Sequence, residues 1–219
     1  MRRTLKLVIA FAALMLIAIT VQYTVAFIRV PGVVARVDQA GNLPLELSEF
    51  HGQRLNWLLK VQDPNFYEHH GVDMGTPGAG YTTITQGLTK ALFYNGSFKP
   101  GFLRWRKMQQ TIIAVAFNAR VSKERQLRLF VNMAYMGTHN GRRVTGFAQA
   151  AREYFGKDFQ NLTDLEYLAL VAVIVAPERY SPAIHPSENE NRVARIRRII
   201  AGTCKPASHS DVEYMTCAQ

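Results

Sequence analysis

Acids are in short supply in this sequence. Asp and Glu number 16 against 26 Lys and Arg, which gives a formal net charge of +10 and a pI near 9.9. Such a surface favours anionic partners, among them nucleic acid, anionic lipid headgroups and a diphosphate substrate; it equally serves solubility and loose attraction to a membrane. Cysteine is scarcer still, with Cys204 and Cys217 the only two. With no second pair and no His cluster at ligand spacing, a cysteine-based metal module is excluded. In an oxidising compartment the two can pair and close a loop worth about 3 kcal/mol in the chain-entropy model; otherwise they are free thiols in a frayed tail. Internal repeats and low-complexity tracts are also missing, which excludes solenoids and disordered linkers.

Long apolar runs are limited to one. After Arg2, Arg3 and Lys6 comes LVIAFAALMLIAITVQYTVAF, residues 7–27, with no charge. At 1.5 Å per residue it reaches roughly 30 Å, the thickness of a bilayer core. A cleaved signal peptide normally has an apolar region of only about 7–15 residues, so the length favours an uncleaved anchor. The basic cluster precedes the run and only Arg29 follows closely, which places the N-terminus in the cytoplasm and the rest of the chain outside. That orientation argues against nucleic acid as a partner. The expected layout is an anchor at 1–29, a linker at 30–44 with a short extended piece at VVARV, a domain at 45–200 and a tail at 201–219. The linker rests on Pro31, Gly32, Gly41 and Pro44.

About 190 residues remain beyond the anchor, and apolar residues at 48% with charged ones at 19% describe a globular core. The apolar period is mostly helical. Ile84, Leu88, Ala91 and Leu92 share one face, as do Leu127, Phe130, Val131 and Ala134. Thr163 with Glu166, and Ser187 with Glu190, have capping-box spacing before helical runs, and Pro177 stops the first of these. The apolar run 168–176 is too short for a membrane span and reads as a buried central helix. Turn signals gather at 74–80, 95–101 and 137–141. The fold class is mostly α, two lobes with Gly-rich loops over a cleft.

Polymerising a sugar carried on a lipid diphosphate needs a carboxylate to deprotonate the acceptor hydroxyl, and cations with hydroxyl or amide donors to meet the departing diphosphate. The donor half is present in Lys90, Arg104, Arg106, Lys107, Thr82, Thr83, Thr85 and Gln86. Five ordered stretches carry a resemblance to the peptidoglycan glycosyltransferases of family 51. In QDPNFYEHHGVD, Asp63, Phe66, His69 and Gly71 fit the family's EDxxFxxHxG; in GYTTITQGLTK, Gly80, Thr82 to Gln86 and Lys90 fit its second motif, with departures at Tyr81 and Gly87; and Arg106 and Lys107 fit RKxxE. Asn132 to Gly137 with YFGK at 154–157, LTxxE at 162–166, and Ala176, Pro177, Tyr180 and Pro182 follow in family order.

The resemblance implies a lysozyme-like fold and inverting transfer of lipid-linked disaccharide diphosphate onto a glycan strand. It implies catalysis at Gln62, Asp63 and Gln109 or Gln110, and substrate binding by Thr82, Thr83, Gln86, Lys90, Arg106, Lys107 and Asn132. Both acid positions of the pattern hold amides: Gln62 in the first motif and Gln110, or Gln109 in a shifted register, in the third. A neutral amide orients a hydroxyl and cannot take its proton. Three readings stay open: an enzyme with impaired turnover, a non-catalytic binder of the same substrate or glycan accessory to a cell-wall synthase, and a chain in which a neighbour such as Asp63 or Glu68 serves as base. A lytic hydrolase would need a raised-pKa acid, which no unmatched Glu supplies. No protein metal site is expected, and His69 and His70 read as packing or capping; Mg2+ at the diphosphate is the one cofactor the chemistry suggests, with thin protein ligands. Cross-linking of peptides is expected from a partner. Among the aromatics, Phe66 and Tyr67 read as core, and Phe93, Tyr94, Phe98, Phe102 and Trp105 as an interfacial loop near lipid.

Overall fold

A computed structural model describes residues 2–96 and 103–217, with the backbone alone at 103 and 104. The side chains of Phe98, Phe102 and Arg104 therefore lie outside the described residues. Eight α-helices and one two-stranded hairpin make up the described architecture. The helices are α1 (Arg2–Gln39), α2 (Arg54–Gln62), α3 (Ile84–Tyr94), α4 (Leu103–Arg120), α5 (Lys123–Met133), α6 (Gly146–Phe155), α7 (Asp164–Val173) and α8 (Pro186–Ala201). The chain is mostly α, as its periodicity indicates.

α7 is the centre of the body: every residue from Tyr167 to Val173 is buried. Thr163 caps it through the capping box with Glu166, as the spacing predicts. Phe50, Phe147, Phe159 and Tyr167 form an interlocked aromatic group beside its first turn. The second predicted capping box does not form. α8 begins with Pro186 and has His185 at its N-cap, so Ser187 and Glu190 already lie inside the helix. Proline's fixed φ and missing N–H suit the first helical position, and that preference sets the boundary two residues early.

The expected linker at 30–44 is corrected by α1, which runs unbroken through Pro31 to Gln39. Proline in a helix interior costs roughly 3 kcal/mol, but Ala26 and Val30 are buried and Val34 and Val37 pack against the main core. Burial of that face outweighs the local cost. Ala26 meets Ile113 and Ala116 of α4, the Gln22 side chain donates to the Gln109 carbonyl at 3.2 Å, and Arg125 pairs with Asp38. One helix among those described, α1, is long and apolar enough to cross a membrane, and its apolar side chains before residue 26 are almost all exposed.

The segment 135–145, where only a turn is predicted, is a hairpin: β1 (Tyr135–His139) pairs antiparallel with β2 (Arg142–Thr145) across Asn140 and Gly141, both at positive φ. Asn-Gly is the residue pair such a tight hairpin turn favours. Phe66 is buried as expected, whereas Tyr67 is half exposed and belongs to the surface.

Candidate active site

Beside the core lies a cavity of about 630 Å³. Its walls come from the last turn of α2, the Gly-rich loop before α3, one face of α3, β1 and β2, and the turns after α7. Gln62, Thr82, Thr83 and Lys90 line it, so the structure brings together part of both sets of residues expected from the sequence. Gly87 also faces it, and a Cβ there would point into open space. This departure from the family pattern leaves that stretch of wall bare.

Position 62 is central and its amide is in use. Gln62 Nε2 donates to the Val171 carbonyl at 3.1 Å, tying α2 to the last turn of α7. A carboxylate has no donor to make that bond. Gln110, on α4, is 1% exposed and donates Nε2 to the Gln86 carbonyl at 2.5 Å, which fastens α4 to α3. Gln109 faces α1 through its carbonyl, and its Oε1 is buried without a partner. Neither position 109 nor position 110 lines the cavity.

Asp63 is fully buried and is consumed by structure. His69 Nδ1 accepts from the Gly71 N–H at 3.0 Å, so Nε2 carries the ring proton and donates to Asp63 at 2.9 and 3.0 Å. The same carboxylate accepts from the Ile84 N–H at 2.9 Å. It closes the N-terminus of α3 and ties the His69 loop to that helix start. Thr83 and Gln86 complete that helix start: Thr83 Oγ1 accepts from the Gln86 N–H, Gln86 Oε1 accepts from the Thr83 N–H, and the Thr83 hydroxyl donates to the Gly71 carbonyl. Thr85 donates to Gln126. These hydroxyl and amide groups are spent within the fold rather than held out for phosphate.

The cationic half gathers at one side. Lys107 Nζ donates to Thr82 Oγ1 at 3.0 Å. Burial, with the Lys90 charge beside it, pulls the Lys107 amine down to about 8. At neutral pH it remains mostly charged, in a pair of ammonium groups that an anion would relieve. Arg106 stacks over Tyr94 instead, 5.5 Å from the ring centre. Asn132 lies elsewhere: its side chain exchanges two 2.9 Å bonds with the Leu45 backbone and donates to the Arg128 carbonyl, pinning the chain that leaves α1 to α5. Its role in this fold is to fasten backbone, not to line the cavity.

Sequence reasoning passed over the hairpin's contribution. Tyr135 and Arg143 line the cavity, with the guanidinium 4.2 Å from the ring centre. The Tyr135 hydroxyl donates to Glu178 Oε1 at 2.5 Å. Burial, followed by that bond, pushes the Tyr135 phenol above its ordinary pKa. The Asn-Gly turn between alternating residues at 135–145 was the available signal. Among the described residues that line the cavity there is no carboxylate, and Glu178 is one joined to the wall by a hydrogen bond.

A transglycosylase family model matches residues 32–201, most of the chain and every element that builds the cavity except its C-terminal edge. The chain belongs to the transglycosylase family. Penicillin-binding protein 1F of Bacillus subtilis is 33% identical over 172 residues, covering 73% of this chain and 23% of its own length. Penicillin-binding protein 1B of Escherichia coli is 30% identical over 165 residues (68% and 19%), and penicillin-binding protein 1A of Neisseria lactamica 31% over 160 (67% and 19%). The chain thus spans about a fifth of the length of these relatives. In this transglycosylase domain the cavity is lined by Gln62 at the end of α2, by Thr82 and Thr83 just before α3 and by Lys90 within it.

Proposed function

We propose that this chain is a peptidoglycan glycosyltransferase whose cavity takes a lipid-linked disaccharide diphosphate at the outer face of the cytoplasmic membrane and joins such units into glycan strands. The observation that carries the reading is the meeting of Gln62 with Thr82, Lys90 and the Lys107–Thr82 pair around one cavity in a transglycosylase domain. In an inverting transfer the acceptor hydroxyl attacks the anomeric carbon, the bond from that carbon to the diphosphate breaks, and the diphosphate leaves with the electron pair. Lys90 and Lys107 meet that charge. The hydroxyl proton must go to a base, and the amide at 62 can only orient the hydroxyl. The donor set does not fit a Mg2+ held by the protein, because no carboxylate is among the described lining residues.

A second reading is favoured by the amides themselves: Gln62 and Gln110 each donate to a backbone carbonyl, so the fold is adapted to them. On this reading the chain binds the same lipid-linked substrate without turnover, as accessory to a cell-wall synthase. The test measures polymerisation of labelled lipid-linked disaccharide, with binding in parallel, for the parent chain, Gln62→Glu and Glu178→Gln. Glycan made by the parent, and lost in Glu178→Gln by about a hundredfold or more, supports the enzyme with Glu178 as base through Tyr135. Binding by all three, with glycan made only by Gln62→Glu, supports the binder. An absence of binding in all three sinks both.

A further inference from the structure

Just past the apolar run of α1 the helix borders an open notch. Arg29, Gly32, Val33 and Arg36 stand at i, i+3, i+4 and i+7, so they share one face of the helix. That face is turned roughly 100° from the stripe of Val30, Val34 and Val37 that packs on the body. Leu92 and Phe93, in the last turn of α3, form the facing wall, and the space between is about 620 Å³. None of the residues around it lines the cavity described above.

The chemistry of the notch suits a phosphate. Gly32 leaves its floor bare between the two arginines, and a Cβ there would meet nothing within 4 Å. Two guanidinium groups flanking such a gap can both turn onto an anion lying across it. Among the described residues neither Arg29 nor Arg36 has a hydrogen-bond or ion-pair partner, no carboxylate lines the notch, and Asp38, the one acid of α1, is taken by Arg125. Below the arginines the same side of the helix is apolar and open: Val21, Val25 and Ile28 are 56%, 46% and 70% exposed. The apolar run ends at Phe27. Arg29 lies about 3 Å beyond it and Arg36 about 10 Å farther along the axis, which spans the polar layer of about 5–8 Å on each side of a bilayer core.

We propose that the notch binds an anionic glycerophospholipid of the membrane that α1 crosses, with Arg29 and Arg36 holding the headgroup phosphate over Gly32 and one acyl chain lying along Ile28, Val25 and Val21. This rests on the membrane placement proposed above and on no step of the glycosyl transfer. A zwitterionic headgroup carries its own cation beside the phosphate, which two unpaired arginines repel, so the notch selects lipids of net negative charge. The diphosphate of a lipid carrier shares the phosphate chemistry, but the cations assigned to it, Lys90 and Lys107, belong to the cavity and its Thr82 edge rather than to the notch.

The experiment places the full chain in phosphatidylcholine nanodiscs with a trace of spin-labelled phosphatidylglycerol or spin-labelled phosphatidylcholine, and the motionally restricted fraction of each label gives their relative affinity. The parent is compared with Arg29→Gln/Arg36→Gln and with Gly32→Leu, which keeps both charges and fills the notch. Arg142→Gln/Arg197→Gln, which removes two exposed charges elsewhere, is the control. Leucine is the better helix former, so Gly32→Leu should not lower the melting temperature. The parent should prefer phosphatidylglycerol. That preference should fall about fivefold for each notch arginine removed, drop to near unity in Gly32→Leu, and persist in the control. Equal loss in the control, or full preference in Gly32→Leu, overturns the notch in favour of diffuse attraction. Unlabelled phosphatidylglycerol and lipid-linked disaccharide are then compared as competitors: stronger displacement by phosphatidylglycerol supports the assignment, and stronger displacement by the disaccharide lipid overturns it. A chain that enters the discs and shows no preference sinks the notch alone, whereas one that does not enter them sinks the membrane placement with it.

Discussion

At the scale of single residues, an amide and a carboxylate share a shape and differ in one atom's hydrogen-bond polarity. Gln62→Glu would lose the donor to Val171 and place an oxygen against that carbonyl, so the side chain should turn into the cavity. A stability loss of about 1–2 kcal/mol is expected by urea unfolding. At position 110 the cost should be larger, about 3 kcal/mol or more, because the carboxylate would be buried beside the Gln86 carbonyl with nothing to donate. Burial would raise the folded-state pKa of that new Glu above its unfolded value. Its relative stability would then be present in acid and lost as pH rises, so the deficit of Gln110→Glu against the parent should shrink between pH 7 and pH 4. The Lys107 amine gives the opposite case. Its pKa falls from 10.5 to about 8 in the fold, so it adds stability above its unfolded pKa that is lost as pH falls through about 8. Diphosphate binding should follow the charge instead and weaken as pH rises through about 8. In Lys107→Arg that pH dependence should disappear, since the guanidinium stays charged.

At the scale of elements, what was legible in the sequence was local. The apolar faces of α3 and α5, the Thr163 cap and the buried α7 are set by spacing within one or two turns, and the structure has them. Misplaced features depend on partners distant in sequence. Pro31 and Gly32 read as a linker, yet Val30 and Val34 bury against residues far along the chain and keep α1 helical. Asp63 and Asn132 match motif positions, but only the folded chain shows that Ile84, His69 and Leu45 consume them. The continuity of α1 is testable: Gly32 sits in a helix interior with open space at its Cβ. Gly32→Ala should therefore stabilise by roughly 0.5–1 kcal/mol, seen as a higher melting temperature. A flexible linker would gain nothing in the folded state.

At the scale of the whole molecule, the first and last described stretches both close onto the body. α1 lies along α4, and residues 203–217, closed by the Cys204–Cys217 disulfide, return to α2 and to the Gly-rich loop. Opening the Cys204–Cys217 bridge releases a loop with a sequence separation of 13, which should cost about 3 kcal/mol on the chain-entropy estimate and appear as a lower urea midpoint.

The unbroken helix from the apolar run into the body makes a stalk rather than a tether. In the proposed orientation, the cleft has a set height above the bilayer and a set heading around the stalk axis. Each residue added to or taken from the apolar segment would move it by about 1.5 Å and turn it by roughly a quarter of a revolution. The diphosphate of a lipid carrier also lies at a set height, so the reach of this protein is determined by a length counted in residues. On the proposed function, a lipid-linked substrate would come to a cleft held at that height by sliding sideways in the membrane.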